Sequence, residues 1–384
     1  MASLKRIVLV GGGHAHLLVL RQIARCKPPD VEVTLLSPSR WQYYSGMLPG
    51  WIAGTYGREE CWIDLQALSA SANACFLEDA ASEIHAEDRT VGTTTGRLLQ
   101  YDFLSLDIGS ETDCDSLQPL GESLLPVKSP DFHRRWEEFI KLCRMTPAFS
   151  AVVVGAGAAG VELALAVHTA LLKVRPDARI ALICGPDGPL DQLGASAQGI
   201  ATRFLRRAGI DIVYQRAVGK AEGVRMPDGR SIAAHCVLAA TGAKAPAWLR
   251  HSRLGLDVDG FVAVDDCHRS RTHLNVFAAG DVCSRDSGAI QKSGVQSVRL
   301  GPVLAHNLLA AARGMSLRAY KPRRRSLYLL SGANGSAIAC WGTWCSSGRW
   351  AWRLKDQIDR RFVRQFPRLP GTVAIPSASR RELP

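Results

Sequence analysis

The stretch AVVVGAGAAGVELA, residues 151–164, carries three glycines, Gly155, Gly157 and Gly160, at the spacing Gly-x-Gly-x-x-Gly. Four apolar residues before the first glycine predict a buried strand, and the alanine-rich segment after the last one predicts a helix. Such glycines permit a tight turn and close approach of a pyrophosphate, and the helix N-terminus offers free N–H groups. The stretch therefore predicts a nucleotide-binding strand–turn–helix unit rather than a membrane span, although residues 151–172 are apolar enough for one.

A second, related stretch, VGGGHAHL, occupies residues 10–17. The apolar run RIVLV precedes it, and a helical segment and the run VEVTLLS follow, which gives the same strand–turn–helix–strand order. His16 stands where the third glycine would be. One interpretation is a histidine packed at the start of the helix, and the other is direct contact with a pyrophosphate.

Neither unit has the acidic residue that usually ends the second strand and binds a ribose hydroxyl. In the first unit that strand ends near Ser37, which can hydrogen-bond a ribose without a charge. In the second unit it ends at Cys184. Because Cys184 is not acidic, it would not repel the 2′-phosphate of NADPH. No arginine follows Cys184 to attract that phosphate. The choice between NADH and NADPH therefore stays open.

A third stretch, HLNVFAAGDVC at residues 273–283, predicts a strand that ends in Ala-Gly-Asp. It resembles the second flavin motif of the two-dinucleotide-binding-domain flavoproteins, the pyridine nucleotide-disulfide oxidoreductase superfamily. Two strand ends, at Gly109 and Gly242, resemble the crossover strands of that fold. The chain is similar to the type II NADH dehydrogenase-like group, and more closely to the flavoprotein family often fused to selenide, water dikinase. The stretches that carry this resemblance are VGGGHAHLLVL, YYSGMLPGWIAGTY, LPVKSPDF, QKSGVQSVRLGPVLAHNL and WRLKDQIDRRF.

The resemblance implies an α/β fold with two Rossmann-like dinucleotide-binding domains. A discontinuous FAD-binding domain would comprise residues 1–147 and 266–312, with a NAD(P)H-binding domain, residues 148–265, inserted between them. Residues 313–384 would form a C-terminal cap. The implied function is a FAD-dependent NAD(P)H oxidoreductase, with FAD on the first glycine turn and NADH or NADPH on the second.

The resemblance also implies roles for single residues. Asp281 would bind the ribityl chain of the flavin, and Val295 would bring a backbone group at a helix start to the flavin ring. Glu162 would lie at the nicotinamide–flavin contact as a catalytic residue, and Lys292 is the second catalytic candidate. The other expected cofactor-binding residues are Gly11, Gly13, His14, Ala15, His16, Ser37, Arg40, Met47, Leu48, Ala81, Gly109, Gly155, Gly157, Gly160, Gly242 and Gly280.

The electron acceptor is the open functional question. Disulfide reductases of this superfamily place a Cys-x4-Cys pair against the flavin, but the corresponding stretch, SRWQYYSGMLPGWIAGTYG, contains no cysteine. Type II dehydrogenases begin the last FAD-domain helix with an Ala-Gln pair, but here Val295 fills the position of that glutamine and Gln296 follows one residue later, which weakens a specific quinone assignment. A quinone acceptor, oxidation of sulfur or selenium species, and a non-catalytic FAD-binding sensor or scaffold are the alternatives.

A Cys-x4-Cys pair does occur later, at Cys340 and Cys345. In one continuous strand, residues five apart point to opposite faces, so the spacing favours two separate structural cysteines. A sulfide- or persulfide-handling pair is the alternative. The eleven cysteines are otherwise scattered, which favours reduced thiols in a cytoplasmic protein.

The net charge of +12 comes from the C-terminal part, since residues 313–384 hold 15 Lys and Arg against 3 acidic residues. Within it, WAWRLKDQIDRRFVRQF predicts a helix with Leu354, Ile358, Phe362 and Phe366 on one face. This basic amphipathic helix predicts peripheral contact with anionic lipid on the cytoplasmic face of the inner membrane, and packing on its own domain is the alternative. No nucleic-acid partner and no metal site are expected, and a homodimer stays open.

Overall fold

The computed structural model describes residues 4–285, 287–288, 292–323 and 325–368. Its N-terminal part has the predicted strand–turn–helix–strand order, followed by short strands and helices. These elements are β1 (Lys5–Val10), α1 (His14–Cys26), β2 (Val31–Ser37), β3 (Trp41–Tyr43), α2 (Leu48–Ile52), β4 (Trp62–Asp64), α3 (Leu65–Ser71), β5 (Cys75–Glu78), β6 (Ala81–His85), β7 (Thr90–Thr93), β8 (Leu98–Gln100) and β9 (Phe103–Leu106).

The second glycine stretch also forms the predicted unit, since a strand, a turn and a long helix cover residues 150–174. The elements of this part are β10 (Glu111–Thr112), β11 (Leu124–Pro126), α4 (Phe132–Met145), β12 (Ser150–Val154), α5 (Ala158–Val174), β13 (Arg179–Ile183), α6 (Ala195–Arg207), β14 (Asp211–Val213), β15 (Val218–Lys220), β16 (Gly223–Arg225), β17 (Ser231–Ala233), β18 (Cys236–Ala239) and β19 (Ala243–Lys244). Among the described residues, no helix combines the length and apolarity that a membrane crossing requires.

The last third of the chain returns to the first unit and then forms a small antiparallel sheet and a final helix. Its elements are β20 (Val262–Val264), β21 (Val276–Ala278), β22 (Cys283–Arg285), α7 (Gly294–Ala312), β23 (Leu327–Ser331), β24 (Ala337–Trp341), β25 (Trp344–Gly348) and α8 (Arg349–Arg364).

Two five-stranded parallel sheets organise the molecule, with the strand orders β21-β9-β1-β2-β5 and β11-β18-β12-β13-β14. Strand β21 pairs in parallel with β9, so residues 276–278 complete a sheet that the N-terminus begins. This is the α/β architecture with two Rossmann-like units that the sequence predicts. The carboxyl ends of parallel strands meet at one edge of each sheet, which is where such folds bind nucleotides. Both glycine turns lie at these edges, directly after β1 and β12.

Helix packing closes the first unit. The side chains of Leu9 and Leu17 are fully buried between the first sheet and its helices. Helices α1 and α7 approach closely because residue 301 is a glycine, and a Cβ there would lie 2.6 Å from the Cβ of Leu18. The N-terminus of α7 is thereby held beside the first glycine turn.

The antiparallel sheet of β23, β24 and β25 lies between the second unit and α8. Ile338 and Cys340 on one face belong to the apolar core that also includes α5 and α6. Ala337 and Ala339 on the other face pack against Ala351 of α8. The sheet therefore joins the C-terminal helix to the second nucleotide-binding unit.

Candidate functional site

The first glycine turn is built around a carboxylate that the sequence did not predict. Asp107 directly follows β9 and is buried. Its Oδ2 accepts hydrogen bonds from the backbone N–H groups of Ala15 (2.8 Å) and His16 (3.0 Å) in the first turn of α1. A Cβ on Gly13 would lie 2.3 Å from the carboxylate carbon of Asp107, and one on Gly280 would lie 2.7 Å from its Oδ1. Glycines from both predicted flavin motifs therefore converge on this side chain.

Opposing effects set the pKa of Asp107. Burial raises the pKa of Asp107 to about 7, while the N–H donors of His16 and Ala15 oppose that shift and the nearby charge of Asp281 adds to it. The carboxyl group can therefore gain or lose a proton near neutral pH. The N–H of Ala15, one of the expected cofactor-binding residues, is bonded to this carboxylate.

His16 is fully buried, and its ring is bonded to the protein at both nitrogens. Nδ1 lies 2.7 Å from the carbonyl oxygen of Gly11, and Nε2 lies 2.8 Å from Oγ of Ser105. Burial lowers the pKa of His16 to about 4, so the ring is neutral at pH 7. Since a carbonyl oxygen can only accept, Nδ1 donates to Gly11 and Nε2 accepts from Ser105. These contacts favour the packed histidine of the two interpretations, and direct contact of His16 with a pyrophosphate stays a prediction.

His14 stands at the same turn with one unpartnered atom. Its ring centroid lies 5.4 Å from that of Tyr44 and 6.1 Å from that of Phe362. A Cβ on Gly294, at the start of α7, would lie 3.6 Å from its Cε1. Nε2 of His14 is buried and has no hydrogen-bond partner among the described residues. Such an atom beside a helix N-terminus fits a polar group of a ligand, which is consistent with bound FAD.

The second glycine turn is open where a ligand would approach. A Cβ on Gly155 would lie 2.3 Å from the carbonyl oxygen of Ala240, and one on Gly160 would lie 1.8 Å from that of Gly155. These two glycines serve the tight turn and the packing of α5. Around Gly157 and Gly242, in contrast, a Cβ would meet nothing within 4 Å. The space fits the predicted approach of a dinucleotide, and Gly157 begins α5 without a side-chain cap.

The Ala-Gly-Asp segment is held by two lysines. Lys128 Nζ donates to Oδ2 of Asp281 (2.8 Å), and Lys292 Nζ donates to the carbonyl oxygens of Asp281 (2.8 Å) and Cys283 (3.2 Å). The ammonium of Lys292 also lies 3.3 Å from the ring centre of Phe261. Burial lowers the pKa of Lys292. These contacts hold the segment in place, and the catalytic role of Lys292 stays a prediction.

A cavity of about 190 Å³ opens beside this segment. Gly280, Asp281, Lys292 and Gln296 line it, together with Tyr320. The hydroxyl of Tyr320 donates to Oε1 of Gln296 over 2.8 Å. Gln296 is the glutamine that follows Val295 in the predicted flavin-contacting turn, and its side-chain oxygen is occupied by this tyrosine.

Glu162, on the first turns of α5, belongs to a buried charged cluster. Its Oε1 accepts from the backbone N–H of Ser331 at 2.6 Å and lies 3.9 Å from Nζ of Lys355. Lys355 Nζ donates to Oδ2 of Asp359 at 2.8 Å and to the carbonyl oxygen of Gly46 at 2.7 Å. The cluster therefore joins the first unit, the second unit, the small sheet and α8 at one point.

Protonation in this cluster is set by burial and by neighbouring charges. Burial raises the pKa of Glu162 to about 7, although Lys355 and the N–H of Ser331 oppose the shift. Burial alone would lower the pKa of Lys355, but Glu162 and Asp359 together raise it. Lys355 is therefore charged at neutral pH, and Glu162 can hold or release a proton. Lys355 and Asp359 were missed at the sequence level; their four-residue spacing on one helix face is the signal that could have identified them.

The two residues expected near the adenosine ribose interact with the protein. Oγ of Ser37 donates to the carbonyl oxygen of Ser39 at 3.2 Å. The guanidinium of Arg40 makes two hydrogen bonds to the buried carboxylate of Asp64, at 3.0 and 2.7 Å. Arg40 thus anchors the N-terminus of α3, and its placement at a ribose stays a prediction.

The remaining expected residues lie on separate elements. Met47 is fully buried and directly precedes α2, which begins at Leu48. Val295 lies in the first turn of α7, directly after Gly294. Gly109 faces open space, since a Cβ there would meet nothing within 4 Å. Ala81 begins β6 in a separate antiparallel sheet and packs against the apolar cluster that includes Val10, the last residue of β1.

The two late cysteines face each other, which corrects the expectation that they point to opposite faces. The chain turns between β24 and β25, and Cys340 is paired directly with Cys345 across the two strands. Their Sγ atoms lie 2.6 Å apart. The expectation failed because it assumed one continuous strand, whereas Gly342 and Thr343 form a tight turn between them.

Helix α8 covers most of the predicted residues, and the C-terminal part of its apolar face is turned inward. Phe362 and Phe366 are buried in the core of the first unit, and Phe362 stacks on Tyr44 with ring centroids 4.7 Å apart. Ile358 is exposed. The helix thus packs on its own protein through residues that we expected to enter a lipid boundary, and that part of the prediction was wrong for Phe362.

Comparisons with known proteins agree with this architecture. The family model described as pyridine nucleotide-disulphide oxidoreductase matches residues 5–307. The NADH dehydrogenase-like protein MT1860 of Mycobacterium tuberculosis is 27% identical, over 73% of each chain. The sulfide:quinone oxidoreductase structure from Aquifex aeolicus superposes with a TM-score of 0.78 at 18% identity, covering 94% of this chain and 91% of that one. The structure of NDH2 from Plasmodium falciparum with NADH gives a TM-score of 0.78 at 13% identity, covering 94% and 98%.

Proposed function

Because the chain belongs to the pyridine nucleotide-disulphide oxidoreductase family, it is a flavin-dependent NAD(P)H oxidoreductase, and we propose that a quinone accepts its electrons without a redox disulfide. The observation that carries the proposal is the buried cluster of Glu162, Lys355 and Asp359. Bound FAD supplies the electron transfer between nicotinamide and acceptor, and the protein supplies binding, orientation and proton handling.

The cofactor-holding residues follow from the two turns. We assign FAD to the first turn, with Gly11 and Gly13, the unpartnered Nε2 of His14 and the carboxylate of Asp281 as its contacts. The nicotinamide nucleotide is assigned to the second turn, where Gly157 and Gly242 leave open space, as does Gly109 in the segment between β9 and β10. Gly157, the N-cap residue of α5, provides no side-chain cap, which leaves the first N–H groups of this helix for the phosphates.

The proton argument favours a quinone. Reduction of a quinone to a quinol takes two electrons and two protons, and a hydride from the nicotinamide supplies both electrons but only one proton. The second proton must come from a group at the site. Glu162 fits this role, because burial gives it a pKa of about 7 and Lys355 lies 3.9 Å away to stabilise its ionised form.

The absence of cysteine from residues 39–57 argues against an enzyme disulfide at the flavin. The rival function, oxidation of sulfur or selenium species, would draw support from Cys340 and Cys345. Those two side chains lie in the apolar core of the second unit with helices α5 and α6. Their position does not favour a direct exchange with the flavin.

A spectroscopic experiment tests the function. NADH or NADPH is added to the purified protein without oxygen, and bleaching of the flavin band is followed before and after addition of a short-chain ubiquinone. We expect bleaching by the nucleotide and recovery with one quinol formed per NAD(P)H. A protein that holds flavin but does not bleach would support the non-catalytic alternative, and a protein without flavin would contradict both functions. Bleaching by sulfide or selenide in place of NAD(P)H would support the rival enzyme.

We also propose peripheral contact with an anionic membrane through the tip of the β24–β25 hairpin. Trp341, Trp344 and Trp350 are exposed there, and the rings of Trp344 and Trp350 lie 6.2 Å apart. Exposed arginines on the first turns of α8 adjoin them, namely Arg349 and Arg353. Interfacial tryptophans with neighbouring cations are typical of lipid headgroup contact.

Vesicle sedimentation tests this contact. Phosphatidylglycerol vesicles should retain the protein, phosphatidylcholine vesicles should retain it less, and W341S/W344S should weaken retention on both. The control is Val258→Ser, at another exposed apolar position. Equal retention of the double variant and the control would refute the membrane contact and leave the reductase proposal intact.

A further inference from the structure

The hairpin of β24 and β25 sets two thiols in a geometry suited to a covalent bond. Two residues, Gly342 and Thr343, connect the strands, and Gly342 has a φ of +61°, as two-residue hairpin turns require at their first central position. Trp341 and Trp344 close the turn as the hydrogen-bonded pair, so the next pair, Cys340 and Cys345, is non-hydrogen-bonded. In such pairs the Cα atoms lie about 4.5 Å apart, within the range that disulfides span.

The two sulfur atoms differ in their access to solvent. Cys340 is 1% exposed, and Cys345 is half-buried. A reagent in solution therefore reaches Cys345 first. The inner sulfur lies directly behind it, since the two Sγ atoms are 2.6 Å apart. Cys345 is therefore positioned as the attacking thiol, and Cys340 as the resolving thiol.

We propose that Cys340 and Cys345 form a reversible intrachain disulfide by exchange with a small-molecule disulfide such as oxidised glutathione. The thiolate of Cys345 attacks one sulfur of the reagent, breaks its S–S bond and releases one glutathione. Cys340 then loses its proton to solvent and attacks the sulfur of Cys345, which releases the second glutathione. The two cysteines lose two electrons and two protons, and one glutathione disulfide becomes two glutathione molecules.

A disulfide between these two cysteines restrains the sheet of β23, β24 and β25. Strand β24 pairs with β23, whose last residue, Ser331, donates its N–H to Glu162. The same sheet packs on α6 with one face and on α8 with the other. A bond between Cys340 and Cys345 fixes this sheet against local opening. The proposal is independent of the electron acceptor, because it needs neither FAD nor a quinone.

Peptide mapping tests the proposal on the intact protein. The full chain is incubated with oxidised glutathione, the free thiols are alkylated, and the digest is analysed by mass spectrometry before and after reduction. We expect a cross-linked peptide joining Cys340 to Cys345, lost on treatment with dithiothreitol. Recovery of both cysteines in the alkylated form, under conditions in which the exposed Cys26 or Cys75 carries glutathione, would overturn the proposal.

Two variants sharpen the result. In Cys340→Ser, Cys345 should accumulate as a stable glutathione adduct, because no thiol is left to resolve it. Cys26→Ser, which removes an exposed cysteine elsewhere, should keep the cross-link unchanged. A Cys340→Ser protein without an adduct at Cys345 would show that this thiol is not the attacking group. If that variant does not fold, the mapping of the wild-type chain decides the question alone.

The thermal unfolding midpoint gives a separate readout. Oxidised wild-type protein should unfold at a higher temperature than the reduced protein, and the difference should vanish in C340S/C345S. An equal shift in the double variant would place the responsible modification at other cysteines.

Discussion

The two glycine turns share a motif, yet they hold their helices by different means. In the second unit Gly160 allows backbone to pack on backbone, since a Cβ there would lie 1.8 Å from the carbonyl oxygen of Gly155. In the first unit the equivalent residue is His16, whose ring bonds the carbonyl of Gly11 and the hydroxyl of Ser105. The comparison teaches that a missing third glycine can mark a different internal connection rather than a lost nucleotide site.

The units also differ in where they carry charge. The residue after the crossover strand is Asp107 in the first unit and Ala240 in the second, and both approach the first glycine of their turn through a backbone carbonyl. Two residues past the third motif position, the first unit has Leu18 and the second has Glu162. The first unit therefore has a carboxylate, that of Asp107, inside its glycine turn. In the second unit the carboxylate, that of Glu162, lies on helix α5 after the turn.

The largest expected effect is steric and lies in the second unit. Gly160→Ala should destabilise the protein by about 3 kcal/mol, because the new methyl group would collide with a backbone oxygen that cannot rotate away. Gly157→Ala is the matched control, since its Cβ meets nothing within 4 Å. Urea denaturation should therefore separate the two variants, while G157A loses affinity for NADH. Equal stability of both would show that the close packing at Gly160 is not needed.

Removal of the second unit's carboxylate should act on proton transfer. Glu162→Gln should slow quinone reduction by roughly a hundredfold, as loss of a general acid typically does, and should leave flavin bleaching by NADH unchanged. In the wild type the rate should fall above pH 7, where Glu162 loses its proton. Stopped-flow measurement of the two half-reactions from pH 6 to 9 checks this. A pH profile that persists in E162Q would assign the proton to another group.

A smaller effect is expected at the flavin motif of the first unit. Asp281→Ala should weaken FAD binding by about 1.5–3 kcal/mol, the contribution of a hydrogen bond to a charged group. The affinity for NADH, which is assigned to the second unit, should be unchanged. Flavin fluorescence during titration of the apoprotein gives the affinity, with the exposed Asp88→Ala as control. The motif would be misassigned if both variants retained FAD equally.

The smallest predicted change tests the carboxylate inside the first turn. A phosphate near Asp107 favours its protonated form, so wild-type FAD affinity should fall as the pH rises above 7. Keeping the carboxyl protonated at pH 8 costs about 1.4 kcal/mol, hence Asp107→Asn should bind FAD about tenfold more tightly at that pH and equally at pH 6.

Apoprotein stability gives a second readout, because the pKa of Asp107 in the folded chain exceeds its unfolded value. Folded protein therefore binds more protons between about pH 4 and 7, and stability falls as the pH rises through that window. The Asn variant should lack this slope.

Local patterns predicted the two nucleotide-binding units well, because each turn and its flanking strand and helix are contiguous in sequence. They did not reveal Asp107, which reaches the first turn only when β9 pairs beside β1. The role of His16 depended on the same pairing, since its partner Ser105 also lies on β9. Contacts between distant segments require the sheet order, which a single strand pattern does not contain.

The C-terminal part shows two other reasons for failure. Cys340 and Cys345 were placed on opposite faces because the tight turn at Gly342 was read as part of one strand. The basic helix was correctly bounded, but its charge pattern concealed Lys355 and Asp359 on the buried face. Their pairing with each other and with Gly46 removes the cost that burial of a lone charge would carry.

Because β21 completes the first sheet, the two sheets are completed in a fixed order during synthesis. The second sheet lies within residues 124–213 and 236–239, so all its strands are synthesised before β21. Until then β9 is an open edge in the half-built first sheet, with unpaired N–H and C=O groups. The N-terminal unit is therefore the last to be completed, and a nascent chain stalled before residue 276 would present a strand edge for chaperones or aggregation to engage.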